Sequence, residues 1–256
     1  MTPSELRQLC RSNQWSRPTS GVCDGSVQCN IVALPNCYAA DFARFCALNS
    51  QACPVLGQSN PGDTDIAALG HFDIRTDCPR YCVFEHGVMT REVADINDLW
   101  ADDWVFFALG CSFSFEDSLI DAGIRLRHIE EQKNVAMYNT NIACASAGIF
   151  SGNMVVSMRP LTITDTIRAI QICTRFPRVH GAPIHFGDPA QIGITALESP
   201  DYGEAVDILE HEVPVFWACG VTPQRALMAA KVPLAITHSP GHMLVTDLRN
   251  AELASL

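Results

Sequence analysis

An unbroken apolar run, WVFFALG (104–110), is the feature that most constrains how this chain can fold. Such a run fits a strand that is buried on both faces, because a strand with one face in water alternates apolar and polar residues. The chain breaks at Gly110, and Phe115, Leu119 and Ile120 then recur at helical spacing. The segment therefore predicts a buried strand, a tight turn and a helix.

A second strand and helix of this kind occur late in the chain. The apolar segment VPVFWACG (213–220) precedes TPQRALMAAK (222–231), in which Pro223 stands at a first helical position, and PLAITHSPG (233–241) is again apolar. Strand, helix and strand at these lengths are typical of a βαβ unit. Because the two strands of such a unit run in the same direction, the pattern predicts a parallel sheet.

The middle of the chain has a different pattern. RLRHIEEQKNVAMYNTNIAC (125–144) and NMVVSMRPL (153–161) resemble strands joined by turns, ahead of a capped helix. We therefore predict an α/β fold with a mixed two-domain architecture. A three-layer α/β/α domain is expected from both chain ends, residues 1–119 together with 206–256, and a smaller α+β domain is expected as an insertion at 120–205.

The composition excludes several classes of function. The 256 residues carry a net charge of −11 with a pI near 5.0, so the basic field that nucleic-acid phosphates require is missing. Lys133 and Lys231 are the only lysines. Schiff-base chemistry requires a lysine amine, so it has only these two candidate residues. No apolar run approaches the ~20 residues of a membrane span. We find no signal peptide and expect a cytoplasmic protein with reduced cysteines.

The first candidate site is GCSFSFED (110–117), which follows the buried strand. A cysteine between a strand and a helix lies where α/β sheets place ligands, and a helix N-terminus favours a thiolate or binds a carboxylate. We therefore consider Cys111 as a nucleophile and Glu116 as an acid or base. The alternative is structural: Ser112 caps the helix, the carboxylates complement its dipole, and Cys111 packs in the interior.

The second candidate site is THSPGHMLVTD (237–247), where polar residues again follow an apolar strand. His238 and His242 are placed to converge with Asp247, for proton transfer or for binding a metal. The Pro-Gly pair between the histidines argues against a helix, so their spacing does not put them on one face, and we favour a role without a metal. The alternative is that both histidines are turn residues.

The third candidate site is HGAPIHFGDP (180–189), a loop rich in glycine and proline. It holds His180, His185 and Asp188, and functional residues concentrate on such loops. A loop this rigid can equally be architectural, and the sequence favours neither interpretation.

Two arginines and an asparagine complete the set of candidates. Arg75 and Arg159 stand beside apolar or turn residues instead of in a solvated run of charges. A guanidinium group binds a carboxylate through two parallel hydrogen bonds, so both are candidates for holding an amino acid or dicarboxylate. Asn141 is placed to donate a hydrogen bond to the same ligand. The alternatives are ordinary salt bridges and a turn.

A resemblance to a known family says more about the function than the hydrophobic periodicity does. No GxGxxG, GxxxxGK[ST] or GxSxG sequence occurs, so signatures of dinucleotide, nucleoside-triphosphate and serine-hydrolase sites are missing. Seven ordered segments, within about residues 21–248, resemble the signature blocks of the D-glutamate cyclase family, whose bacterial members are described as hydro-lyases. The segments are DIRTDCPRYCVF, GCSFSFED, YNTNIAC, VVSMRP, HGAPIHFGDP, VPVFWACGVTPQ and ITHSPGHMLVTD.

The resemblance implies conversion of D-glutamate to 5-oxo-D-proline and water, without a redox cofactor or nucleotide. Intramolecular amide formation requires a base for the ammonium group, hydrogen-bond donors for the oxyanion and an acid for the leaving hydroxide. On this hypothesis Arg75 and Arg159 hold the carboxylates, His185 or His238 transfers protons, and the turn at Cys111 contacts the oxyanion.

Two other functions are compatible with the sequence. One is another hydro-lyase, or a hydrolase, that acts on a related small carboxylate and for which a metal is more expected. The other is a non-catalytic protein that binds an amino acid or an organic acid. All three take a small molecule as ligand and are compatible with a homo-oligomer. The catalytic hypothesis depends on the turns around Cys111, His185 and His238 lining one cleft.

Overall fold

The computed structural model describes residues 1–255. Six α-helices and eleven β-strands form within them. The helices are α1 (Pro3–Arg11), α2 (Ala39–Leu48), α3 (Phe113–Asp121), α4 (Arg127–Glu130), α5 (Ile163–Cys173) and α6 (Thr222–Ala230). The strands are β1 (Ser26–Pro35), β2 (Val55–Gln58), β3 (Tyr81–Glu85), β4 (Val88–Val93), β5 (Trp104–Gly110), β6 (Met137–Ala143), β7 (Asn153–Thr162), β8 (His185–Phe186), β9 (Glu212–Ala218), β10 (Leu234–His238) and β11 (Leu244–Arg249).

The strands are divided between two sheets. The larger sheet has the order β2-β5-β1-β10-β3-β4, and β11 also pairs with β1. The smaller sheet has the order β6-β7-β9-β8. No helix within residues 1–255 combines the length and the apolarity needed to cross a membrane.

The predicted parallel sheet is wrong. Every strand pairing within residues 1–255 is antiparallel. The late strands β9 and β10, which flank α6, belong to different sheets. Helix α6 therefore links the two sheets instead of crossing over within one of them, so the lengths typical of a βαβ unit do not produce one here.

The apolar run that opened the sequence forms β5, at the predicted residues 104–110, and every residue of this strand is buried. It lies between β1 and β2, so both of its edges are paired. Its side chains alternate between two hydrophobic clusters: Phe106 packs on one face, and Phe107 packs on the other, edge-to-face with Phe42 at 4.9 Å between ring centroids. A strand that is covered on both faces accounts for the absence of polar residues.

The structure confirms the expected α/β class at the level of mixed helices and sheets, because helices accompany two antiparallel sheets. The smaller sheet extends beyond the predicted insertion at 120–205: β6, β7 and β8 lie inside it, whereas β9 follows at Glu212–Ala218. The start of segment 125–144 is α4 instead of a strand. An i,i+3 ion pair between Arg127 and Glu130 is compatible with this helical turn.

A buried arginine, glutamate and histidine, here called the triad, join helices α3 and α4 to the smaller sheet. Arg159 of β7 donates to Glu116 of α3 from Nε at 2.9 Å, and His128 Nε2 of α4 lies 3.1 Å from the same carboxylate oxygen. Arg159 is fully buried and Glu116 is 3% exposed. The guanidinium carbon also lies 5.6 Å from the Phe115 ring centroid and 5.3 Å from that of Trp217. Ionic, hydrogen-bonding and aromatic contacts together offset the cost of removing the arginine from water.

We expect Arg159→Met to lower the free energy of unfolding by about 3–5 kcal/mol, because Glu116 would be left buried without its main partner. Urea denaturation measures the loss. The matched control is Arg125→Met, which breaks an ion pair with Glu130 in which the arginine is 83% exposed; we expect no measurable change there. Equal losses for the two variants would contradict a structural role for the triad.

Candidate active site

Three turns that are far apart in the chain meet beside β1. They follow β5, β9 and β10, at residues 110–112, 219–221 and 239–243, and we call them the turn cluster. The side chain of Asn30, in the middle of β1, connects two of them: its Nδ2 donates to the Gly110 carbonyl at 2.8 Å, and Gly220 packs so closely on the amide that an added Cβ would collide with it. The cluster therefore contains parts of three sequence blocks.

The side chains of the turn cluster pack on one another. Cys111, Cys219, Val221 and Met243 belong to one hydrophobic cluster, against which the half-buried Tyr202 packs. The base of the cluster is polar. There, Gln224 Nε2 donates to the His238 carbonyl at 3.1 Å, and the Thr222 hydroxyl accepts a hydrogen bond from the amide of Val155 at 3.0 Å. Hydrogen bonds to the backbone thus fix turns that the apolar contacts bring together.

Two helices begin at the turn cluster. Helix α3 starts at Phe113, directly after Cys111 and Ser112, and α6 starts at Thr222, directly after Cys219, Gly220 and Val221. The first N–H groups of a helix lack partners inside the helix and carry a positive partial charge. Two such ends beside one cluster create an environment that favours carboxylates and a developing oxyanion.

The two thiols of the cluster are protonated at neutral pH. Burial raises the pKa of Cys111 to about 12, although the Phe113 amide acts in the opposite direction. Burial likewise raises the pKa of Cys219 to about 11, against the effect of the Val221 amide. Cys111 therefore resembles the packing alternative more than the thiolate nucleophile considered from the sequence. Ser112 does not cap α3 through its side chain.

Two histidines, His238 at the end of β10 and His242 in the third turn, differ in their surroundings. His238 is 1% exposed, and burial lowers its pKa to about 4, so its ring is neutral at pH 7. The Ile31 amide donates to His238 Nδ1 at 3.0 Å, which assigns the ring proton to Nε2. His242 is only half-buried, and its Nδ1 pairs with the Pro240 carbonyl at 3.1 Å. Its Nε2 is thereby left as a proton acceptor.

Asp247 does not join these histidines. Its carboxylate accepts from Arg7 at 2.8 Å and from the His71 amide at 3.0 Å. Asp247 thus ties β11 to α1 and to the loop before β3, and the predicted convergence of His238, His242 and Asp247 is wrong.

The two arginines that were expected to hold carboxylates are already engaged. Arg159 uses all of its nitrogens: Nε and Nη2 reach Glu116, Nη1 reaches Ser157, and Nη2 also reaches Ser112. Arg75 forms a bidentate pair with Asp73 in a loop before β3. Arg159 therefore has no nitrogen without a partner in the protein, whereas Arg75 is paired through Nε and Nη2 only, and its role as a substrate ligand stays a prediction.

Glu116 is equally committed to a structural contact. Burial alone would raise its pKa, but His128 and Arg159 outweigh that effect and lower the pKa to about 2. The carboxylate is therefore ionised throughout the neutral range, and the geometry does not favour the alternate role of Glu116 as an acid.

The candidate residues of the HGAPIHFGDP segment lie in two separate places, next to the end of β5 and at β8. His180 lies next to the end of β5, since Gly110 packs against the backbone of Arg178 and Val179. The ring of His180 is 1% exposed, its Nδ1 pairs with the Gln51 carbonyl at 2.8 Å, and burial lowers its pKa to about 4. His180 thus borders the turn cluster as a neutral, fixed side chain.

His185 and Asp188 form a second group, and Asn141 lies on β6, at the other edge of the smaller sheet. His185 lies on β8, at the edge of the smaller sheet; its ring stacks on Phe216, and its Nε2 is 2.8 Å from the Asp188 carbonyl. The Asp188 side chain accepts from the Ala190 amide, and Asn141 packs against Gly193. The structure brings the turns of Cys111 and His238 together, whereas His185 is held in this separate group.

Three residues of the candidate site, Asn30, Tyr202 and Arg225, were not predicted from the sequence. Asn30 was treated as part of a strand, although a polar residue within a buried strand implies an internal hydrogen bond. Arg225, in the first turn of α6, lies beside the hydroxyl group of Tyr202. Burial raises the pKa of Tyr202, and Arg225 partly offsets this rise. Arg225 could have been identified from its position, because acidic residues are preferred in the first turn of a helix and a cation there is unusual.

Comparison with known proteins agrees with the resemblance seen in the sequence. The family model described as D-glutamate cyclase matches residues 105–247, which include β5, β9, β10 and all three turns. A protein of Burkholderia cenocepacia named "Putative hydro-lyase" is 58% identical over 255 residues, covering 99% of both chains. A protein of the same name from Paraburkholderia phytofirmans is 56% identical over 256 residues, covering 100% of this chain and 99% of the other.

Among solved structures, a nitrogen repressor-like protein from Methanococcus jannaschii aligns over 95% of this chain and 97% of its own, with a TM-score of 0.40 and 9% identity. That likeness is too remote to support an argument about the site. The family model and the near-complete coverage of the curated relatives are sufficient: the chain belongs to the D-glutamate cyclase family, and relatives that match its full length carry the name "Putative hydro-lyase".

Proposed function

We propose that this protein converts D-glutamate to 5-oxo-D-proline and water, and that the turn cluster is its active site. The observation that carries the proposal is the meeting of two helix N-termini beside one packed cluster, with Arg225 in the first turn of α6. This positive environment suits a substrate with two carboxylates. In this proposal Arg225 holds a substrate carboxylate, the role that the sequence analysis assigned to Arg75 and Arg159.

The reaction forms a bond between the substrate nitrogen and the γ-carboxyl carbon, and it breaks a carbon–oxygen bond of that carboxyl group. Only a neutral amine can attack, so the ammonium must first lose a proton. In our proposal His242 Nε2 accepts this proton, because Nδ1 is held at the Pro240 carbonyl and orients the ring. His242 is also more exposed than His238, whose low pKa makes it a weak base.

The oxygen of the tetrahedral intermediate needs hydrogen-bond donors. The N-terminus of α3, next to Cys111, supports this oxygen through its positive partial charge, which is fixed before the reaction begins and needs no reorganisation; its Ser114 and Phe115 amides already donate to the Cys111 and Ser112 carbonyls at 3.1 Å. The γ-oxygen that leaves must be protonated to depart as water. Tyr202 is a fitting acid, because its pKa is raised by burial and its phenol therefore keeps its proton at neutral pH.

The apolar packing of the cluster contributes in a further way. D-glutamate is flexible, and cyclisation requires its amine and γ-carboxyl group to be held together, a cost in entropy that a fitted site can supply in advance. In our proposal the substrate lies against Cys111, Cys219 and Met243, whose buried side chains exclude water. Exclusion of water also favours loss of water over the reverse hydrolysis at the reacting carbon.

The direct test incubates the purified protein with D-glutamate and, separately, with L-glutamate, under reducing and metal-replete conditions. Chiral chromatography follows 5-oxoproline. We expect product from the D-enantiomer at a rate proportional to enzyme concentration. Absence of product from both enantiomers would reject the proposal, and turnover that a chelator abolishes would favour a metal-dependent hydro-lyase or hydrolase instead.

Replacing His242 with glutamine should lower kcat by about 10²–10⁴-fold, the usual contribution of a general base. Its half-buried position leaves room for glutamine, so the melting temperature should stay near that of the wild type. The matched control is His211→Gln, an exposed histidine ahead of β9, which we expect to keep full activity. Unchanged kcat in His242→Gln would remove this residue from the mechanism.

The role of Tyr202 predicts a specific dependence on pH. Because burial raises its pKa above the ordinary value, the phenol keeps its proton as the pH rises, and we expect kcat to hold up to at least about pH 10 before it declines. Tyr202→Phe should lower kcat at every pH and remove the alkaline decline. A profile that falls between pH 7 and 9, or one that is unaltered by the substitution, would exclude Tyr202 as the acid.

A further inference from the structure

Two cysteines of this chain have side chains that solvent reaches. All twelve cysteines are free; Cys37 is exposed, Cys144 is half-buried, and the others are buried. Cys144 directly follows β6, and its side chain packs against a hydrophobic cluster that contains the buried Cys46 and Cys53. A thiol that a dissolved reagent can reach therefore adjoins a cluster that holds two buried thiols.

Asn49, directly after α2, holds the backbone beside all three of these cysteines. Its amide donates to the Cys46 carbonyl at 3.2 Å, and its carbonyl accepts from the Cys53 amide at 2.9 Å. Its side chain forms two hydrogen bonds of 2.8 Å with the backbone of Ala145, the residue after Cys144. One asparagine thus ties together α2, the loop that follows it and the end of β6.

Neighbouring backbone contacts fix Cys53 and Cys144 further. The Pro54 carbonyl accepts from the Gly110 amide at 2.8 Å, and the Cys144 amide donates to the Gly152 carbonyl at 2.9 Å. The first of these bonds also places Cys53 beside the first turn of the turn cluster. Because the fold holds both segments in place, a reaction between their thiols is effectively unimolecular.

The thiols influence one another directly. Burial raises the pKa of Cys53 well above its ordinary value, and the neighbouring thiols of Cys46 and Cys144 add to this rise. Burial also raises the pKa of Cys144. Both groups are therefore protonated at neutral pH. Since the thiolate is the reactive form, their reaction should be slow at pH 7 and become faster as the pH rises.

We infer that Cys144 and Cys53 form a site of reversible exchange with a low-molecular-weight disulfide. The Cys144 thiolate attacks one sulfur of this disulfide, which gives a mixed disulfide and releases one thiolate. The Cys53 thiolate then attacks the Cys144 sulfur and displaces the second thiolate, so that a bond between Cys53 and Cys144 forms. The protein loses two electrons and two protons, and the small disulfide is reduced to two thiols.

The roles of the three cysteines follow from their positions. Cys144 reacts first, because it is the member of the group that solvent reaches. Cys53 completes the cross-link, because it is the buried thiol on which Cys144 acts. A metal centre fits less well, since no group of three or more histidine, cysteine, aspartate or glutamate side chains within residues 1–255 is arranged to hold an ion. The cross-link does not depend on the proposed reaction.

Glutathione disulfide is the probe, added to the reduced full-length protein at mildly alkaline pH. The Cys37→Ser variant is used, so that Cys144 is the accessible thiol. Intact mass and peptide mapping without reductant should show a cross-link between Cys53 and Cys144, no retained glutathione, and complete reversal by dithiothreitol. The initial rate should rise about tenfold per pH unit below the thiol pKa. A cross-link that maps to Cys46, or glutathione retained on Cys144, would overturn the proposal.

Two further variants separate the steps. Cys53→Ala should stop the reaction at the mixed disulfide, with one glutathione on Cys144, and Cys144→Ala should leave the protein unmodified. The matched control is Cys173→Ala, a buried cysteine of α5 in a different hydrophobic cluster, which should cross-link like its parent. A cross-link that forms without Cys144 would contradict the site. Formation of 5-oxoproline, assayed separately, reports on the turn cluster, so the two proposals can fail independently.

Discussion

The buried contact between Arg159 and Glu116 is the interaction on which the rest of the structure depends. It ties α3 to the smaller sheet, while the chain that enters α3 comes directly from β5 of the larger sheet. The same guanidinium holds the Ser112 hydroxyl at 2.9 Å, within the turn itself. Any shift of α3 would therefore displace residues 110–112 relative to β9. The relative position of the turns follows from a charge pair that lies outside their apolar packing.

Much of the secondary structure could be predicted because apolar periodicity is local. The run at 104–110 forms a strand at the predicted residues, and the helix indicated by Phe115, Leu119 and Ile120 forms as α3 at Phe113–Asp121. The direction of the strands could not be predicted in this way. Hydropathy reports how deeply a strand is buried, and strands such as β5 are buried on both faces in an antiparallel sheet as well as in a parallel one. Helix α6 shows the consequence, since it joins two sheets.

The candidate site was predicted in part, for a related reason. Cys111 and His238 stood out because each ends an apolar strand, and the turns that hold them do meet. The sequence gives no sign of what a buried side chain contacts. Arg159 resembled a free guanidinium until Glu116, on another element, was found beside it. His180 and His185 were equivalent candidates in one loop, and only the pairing of β8 with β9 separates them.

The charges of helix α3 bear on the electrostatics of the turn cluster. Its N-terminal end is positive and adjoins the turn cluster, whereas Glu116, in the same first turn, and Asp117 carry carboxylates. Acidic residues early in a helix normally complement the dipole, and here Glu116 is neutralised instead by Arg159. The carboxylate thus cannot cancel the positive end of α3 at the turn cluster. A helix only nine residues long can in this way keep a positive N-terminus although a carboxylate lies in its own first turn.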